Sequence, residues 1–211
     1  VVINELMYDP ISGNDDDQYI ELYNRSGGAV DLSGWQLSDG VSYTIPTNTT
    51  LAAGGYLVIA RNAAQLISHY GNLNTANCLG NFGGKLAHGG EHLALTKPVE
   101  HKVTDGSGNT VTNIINVTVN DLTYGTGGRW GQWAAGGGSS LELKDANSDN
   151  RLAANWADSD ETAKSVWTNI ETTGVLDNGG NYDASIDYAQ IGLLDVGECL
   201  VDNVGAAYQD R

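Results

Sequence analysis

Hydrophobic and polar residues alternate with a period of two along most of this chain. In residues 18–24, Ile20 and Leu22 fall on one face while Tyr19, Glu21 and Tyr23 fall on the other, as a half-buried strand requires. Similar runs occur at 34–39, 42–45, 56–60, 91–96, 114–119, 121–124, 139–144, 185–194 and 199–204, most of them rich in Val, Ile, Thr, Tyr or Leu. Turn signals separate them, among them Ser26-Gly27-Gly28, Asp39-Gly40, Gly54-Gly55, Gly83-Gly84, Asp105-Gly106 and Gly136-Gly137-Gly138. Many short strands between Gly-rich turns predict an all-β sandwich or barrel. Trp35 and Leu37 alternate with Gln36 and Ser38, which sends an indole into the core. Asn4 and Glu5 interrupt the first apolar run and mark a sheet edge or bulge.

One segment breaks the period. Asn62 is placed as an N-cap, Ala63, Leu66, Ile67 and Tyr70 follow helical spacing, and Gly71 sits where a left-handed residue would stop the helix. Two turns need packing against a sheet to persist, so this helix is expected as a crossover or lid. A second helical turn is expected at 151–156. After Trp156 the texture changes through Asp158-Ser159-Asp160-Glu161, which divides the chain into a sandwich over 1–157 and a linker with a β-hairpin over 158–211. The runs 185–194 and 199–204, joined by Asp195-Val196-Gly197, cannot stand alone as two strands. They must join the first sandwich, belong to a larger domain, or be completed by another chain.

Composition narrows the partners. The 211 residues are 40% apolar and 17% charged, with a formal charge of −16 from 26 Asp and Glu against ten Lys and Arg. Such a chain can bury a core, and it is too apolar and aromatic for a disordered acidic segment. It offers no cationic surface to nucleic acid phosphates or anionic lipid, and no apolar run is long enough to span a bilayer. Cys78 and Cys199 allow one disulfide or two buried thiols.

Candidate chemistry is sparse. Asp145, Asn147 and Asp149 put side-chain oxygens at positions 1, 3 and 5 of a tight loop, the register that wraps Ca²⁺, although Asn150 stands where such loops want glycine and Trp156 where a closing Glu belongs. A solvated Asx turn is the competing reading. Asp15, Asp16 and Asp17, beside Asp9 and Asn14, form a second acidic cluster, either solvated or neutralised by a cation. Structural calcium, held by Asp145, Asn147 and Asp149 or by Asp15 and Asp17, is the one cofactor expected. His88 and His92 flank Gly89-Gly90-Glu91, and the glycines argue against a helical zinc motif. His69 and His101 have no evident partners. Trp130 and Trp133 lie in a Gly-rich loop where indoles stack on sugar rings, with Arg129 and Gln132 for hydroxyls, or plug the end of the sandwich. Asn24, Asn48 and Asn116 each open an N-glycosylation sequon. No nucleophile elbow, phosphate loop or dinucleotide turn is present, and Glu5 with Glu21, a carboxylate pair of the glycosidase type, lacks a cleft-forming scaffold.

The run Val2-Ile3-Asn4-Glu5-Leu6-Met7-Tyr8-Asp9-Pro10, followed by 18–24 and by Val30-Asp31-Leu32-Ser33-Gly34-Trp35-Gln36-Leu37-Ser38-Asp39, closely resembles bacterial lamin-tail domains. Residues 51–60, 84–91 and 137–143 continue the likeness, which covers about residues 1–157. The resemblance implies an immunoglobulin-like β-sandwich, used in bacteria as a non-catalytic module of secreted or surface-attached proteins. The stretch from Trp167 through 197–204 is similar to the linker and opening strands that lead into a jelly roll resembling carbohydrate-binding domains. With the chain ending at Arg211, that jelly roll is expected to be incomplete or completed from elsewhere.

The resulting expectation is a non-enzymatic structural or adhesive building block, extracellular or on a bacterial cell surface. Its partners are other subunits, interlocking by strand addition into a fibre. The alternative is a carbohydrate-binding module of a polysaccharide-degrading system, with Trp130 and Trp133 side by side on an exposed face.

Overall fold

A computed structural model describes residues 1–160 together with 169, 171, 204 and 205. In chain order its strands are β1 (Val2–Met7), β2 (Tyr19–Tyr23), β3 (Val30–Asp31), β4 (Gln36–Asp39), β5 (Val41–Thr44), β6 (Thr50–Leu51) and β7 (Tyr56–Ala60). After the helix α1 (Ala63–His69) come β8 (Cys78–Gly80), β9 (Gly83–Gly84), β10 (His92–Thr104), β11 (Thr110–Thr123), β12 (Leu141–Leu143) and β13 (Trp156–Asp158). They form a six-stranded sheet in the order β13-β12-β1-β2-β7-β8, a five-stranded sheet in the order β11-β10-β4-β5-β9, and the small pair β3-β6.

The alternation seen in the chain is what joins the two large sheets. Ile3, Leu6, Ile20, Leu22, Leu57, Ile59, Leu141 and Leu143 pack in one cluster with Leu37, Val41, Leu93, Leu95 and Leu122. Trp35 lies in that cluster, and Tyr8, Tyr124 and Trp156 are its largest fully buried members. Two sheets closed over one apolar layer make an immunoglobulin-like β-sandwich. Gln18, fully buried, ties the 84–90 loop to it: its Nε2 donates to Tyr8 O (2.8 Å) and Leu86 O (2.9 Å), while its Oε1 accepts from Leu86 N (2.9 Å). Gly90 has φ +100°, and a Cβ there would stand 2.5 Å from the Tyr124 carbonyl oxygen, so only glycine fits this turn.

The bulge expected at Asn4 and Glu5 is present as a register shift between Ile3 and Glu5. Asn62 caps α1, its side chain accepting from Gln65 N at 3.2 Å, and Leu66 packs with Val58, Ala60 and Cys78 against the outer face of the six-stranded sheet. The stop at Gly71 is different from the expectation. The cap is Tyr70 in extended conformation, with its N–H on Leu66 O and its own carbonyl accepting from Leu73 N, so no left-handed residue is needed. The turn expected at 151–156 is a 3-10 turn at Ala153–Asn155.

The largest departure concerns the strands expected at 91–96, 114–119 and 121–124. The last two are one strand, β11, whose break at Val119 is absorbed as a bulge opposite the Leu95/Thr96 step, and β10 continues through Lys97 and Pro98 to Thr104. β13 straddles the expected boundary at 157 by pairing with β12. The runs 185–194 and 199–204, and Cys199, lie outside the described residues. Cys78 is a buried free thiol, its pKa raised by that burial.

Candidate functional site

β10 and β11 pair from His92↔Thr123 to Thr104↔Thr110 with one bulge at the Leu95/Thr96 step, whereas β4 stops pairing with β10 at Gln36↔Thr96. Beyond that point, among the described residues, the hairpin leaves the sandwich as a two-stranded arm. Its tip is closed by Asp105, whose Oδ1 accepts from Ser107 N and Asn109 N, both at 2.9 Å. Directly paired residues share a face, so the core side of β10 and β11 continues outward as Lys97, Val99, His101 and Val103 with Val117, Ile115, Asn113 and Val111. On that face Val103, Val111, Ile115 and Val117 are 46%, 58%, 45% and 40% exposed. Exposed apolar side chains on a projecting element, here in two groups on either side of the His101–Asn113 pair, mark a surface available for contact.

The root of the arm is locked to the opposite sheet. Asn120 and Asn150 pair amide to amide, Nδ2 to Oδ1 in both directions at 3.0 and 2.8 Å, and Asn120 Oδ1 also accepts from Ile3 N at 2.8 Å. The indole of Trp156 donates to Asn150 O at 2.7 Å.

A second feature lies on the outer face of the six-stranded sheet. Glu142, Glu5 and Glu21 are direct cross-strand neighbours on β12, β1 and β2, a line of like charges that is unfavourable unless screened or protonated. Glu5 Oε1 accepts from Tyr19 Oη (2.6 Å) and Ser140 Oγ, while Glu21 accepts from Asn4 Nδ2 at 3.1 Å. A groove of about 180 Å³ runs beside them under α1, bordered by Tyr19, Leu66 and Tyr70. Burial, and then the charge of Glu5, push the Glu21 carboxyl up to about 7 against the hydrogen bond from Asn4. The unfolded chain releases that proton near 4.5, so between 4.5 and 7 the folded chain binds more protons and loses stability as pH rises. The melting temperature is therefore expected to fall across this window more steeply than in Glu21→Gln. At pH 8 the variant should be the more stable by about 2 kcal/mol. Parallel pH profiles of the two proteins would refute this.

The family model described as Lamin Tail Domain matches residues 1–206. The chain belongs to the lamin tail domain family. The match continues across the composition change near 157, and no curated protein matches the chain. Membership points to a non-catalytic β module. Among the described residues no helix of this lamin tail domain is long and apolar enough to cross a membrane.

The residues singled out in the sequence are dispersed over the lamin tail domain. Asp145 Oδ1 accepts from Asn147 N at 2.8 Å as an Asx turn, Asp149 Oδ1 accepts from Arg151 N and Nε, and Asn150 is buried in the arm root instead of facing the loop. Asp15, Asp16 and Asp17 form a 3-10 turn ringed by basic side chains: Lys85 Nζ and His88 Nε2 on Asp15 at 3.1 and 3.0 Å, Arg61 Nε on Asp16 at 3.3 Å, and His69 Nδ1 on Asp17 at 3.3 Å. The hydrogen bond from Lys85 heads the causes that hold the Asp15 carboxyl below its usual range. Among the described residues no three His, Cys, Asp or Glu form a group able to hold a metal ion. His69, expected without a partner, has one in Asp17. His88 and His92 serve different carboxylates, His88 between Asp9 and Asp15 and His92 between Asp39 and Asp121.

Trp130 leans on the core with its ring 6.3 Å from that of Trp156, while Trp133 is 40% exposed. Asn24 is fully buried, and its Nδ2 lies within bonding distance of the Gly28, Leu51 and Ala52 carbonyls, so a glycan on that nitrogen is incompatible with the folded chain. Asn48 is exposed at a positive φ of 63°. Asn116 is exposed on the arm, where Nδ2 donates to Gln36 Oε1 at 2.8 Å.

Proposed function

We propose that this lamin tail domain is a non-catalytic building block of an extracellular or cell-surface assembly, and that it grips other protein through the β10–β11 arm. The observation that carries the reading is the arm itself, a 13-residue and a 14-residue strand extended past the sandwich with β-branched side chains on its uncovered inner face. Such an element contributes little to the stability of its own domain, since side chains half exposed on both sides of a two-stranded ribbon bury little apolar area. Strand edges are templates for pairing, so the arm supports assembly by strand addition.

The test is to shorten the arm. Residues 98–116 are replaced by Asn-Gly, a two-residue turn joining Lys97 and Val117, which are direct partners. The expected result is that the full chain forms complexes visible by sedimentation and electron microscopy, while the shortened chain stays as isolated particles with the same melting temperature. Equal assembly by both proteins overturns the reading.

A further inference from the structure

We infer that the arm's partner is a second copy of this chain, added antiparallel at the outer edge of β11, so that two five-stranded sheets become one ten-stranded sheet. This rests on the reading of the arm as the contact surface and names what occupies it.

The two edges of the arm are protected very differently. Along β10 the free stretch carries Lys97, Pro98, Glu100 and Lys102, the charges and proline that discourage pairing. Along β11 the eleven residues Thr110–Asn120 include no Asp, Glu, Lys, Arg, Pro or Gly, and eight of them are β-branched. This uncharged run stands out in a chain of net charge −16. The only irregularity is the bulge near Val119, at the root. Among the described residues β11 is the outermost strand of its sheet, with no strand on its far side. An unguarded, extended edge is a template for a like strand.

Charge favours a like partner here and disfavours one elsewhere. Within 97–119, Lys97 and Lys102 balance Glu100 and Asp105, so arm meets arm without net repulsion, whereas contacts through the rest of the surface bring two acidic bodies together. Pairing of identical strands is isologous and closes on a two-fold axis. Directly opposed residues must share a face, so the axis passes through a residue. Through Ile114, it sets the two Ile114 side chains against each other and places Val111 opposite Val117 of the second copy, twice. Aliphatic cross-strand pairs of this kind are stabilising.

The experiment uses the full chain with Ile114→Lys and Ile114→Glu, at a position 63% exposed that carries no core packing. In sedimentation velocity the unaltered chain is expected to show a concentration-dependent dimer. Each variant alone should dimerise at least about tenfold more weakly, and their equimolar mixture should recover the dimer because opposite charges then face each other. Exchanging the charges at two positions of the guarded strand, Glu100→Lys together with Lys102→Glu, keeps the arm neutral and should leave the dimer intact. An unaltered chain that stays monomeric at all concentrations, or variants that associate as well as it does, overturns the β11 pairing. If shortening the arm abolishes assembly while the Ile114 variants keep it, this inference fails and the arm reading stands. If shortening changes nothing, both fail.

Discussion

Replacing Trp156 by alanine is expected to lower the unfolding free energy by about 3–5 kcal/mol, among the largest losses available in this chain. The indole is 1% exposed, sits in the main core cluster, packs beside Trp130 and donates to Asn150 O at 2.7 Å. Truncation therefore removes a large buried ring and also leaves the Asn150 carbonyl, next to the amide pair that anchors the arm, without its donor. Trp156→Phe keeps most of the packing and loses the hydrogen bond, so its cost should fall to about 1–3 kcal/mol. Trp130→Ala should cost less than Trp156→Ala because Trp130 is only half-buried. Urea unfolding with comparable m-values would measure all three. A loss under about 1 kcal/mol for Trp156→Ala would contradict the packing described.

The second large effect is expected at Asn24, where substitution by alanine should cost about 3 kcal/mol through groups left unsatisfied, not through lost apolar area. Besides the three carbonyls at Nδ2, Oδ1 accepts from Ser26 N at 3.0 Å and Ser26 Oγ at 2.7 Å. Asn24→Asp keeps size and shape but turns a donor into an oxygen facing three carbonyl oxygens. It should be worse than Asn24→Ala, an order that a merely steric role would reverse. Thermal and urea unfolding of the pair decides it.

These two residues show how much of the protein was legible in its chain. Trp156 was visible only as the end of a texture, at the twelfth position of a suspected calcium loop, and Asn24 only as the first residue of a sequon. Short-range rules name what a residue can do, and an asparagine suits a turn, a glycan or a buried bracket equally well. Which of these Asn24 does depends on carbonyls 27 and 28 residues away. The same holds for the acidic turn at Asp15–Asp17. Its charges were plain, whereas the basic partners around it arrive from Arg61, His69, Lys85 and His88 through α1 and the 84–90 loop. The strand expected at 91–96 runs on through Lys97 and Pro98 to Thr104. Proline removes a ladder donor, and it is tolerated there because among the described residues β10 has no strand on the side away from β11 beyond Thr96.

The sequence by itself determined the strand period, the inward set of Leu, Ile and Trp35, the Asn62 cap and the turns, because each is settled by neighbours within a few residues. Only the tertiary structure decided that Asn120 meets Asn150, that three glutamates line up across β12, β1 and β2, and that β11 is the outermost strand of its sheet among the described residues. Those facts depend on which strands lie side by side, and pairing between distant segments is a property of the closed sandwich as a whole.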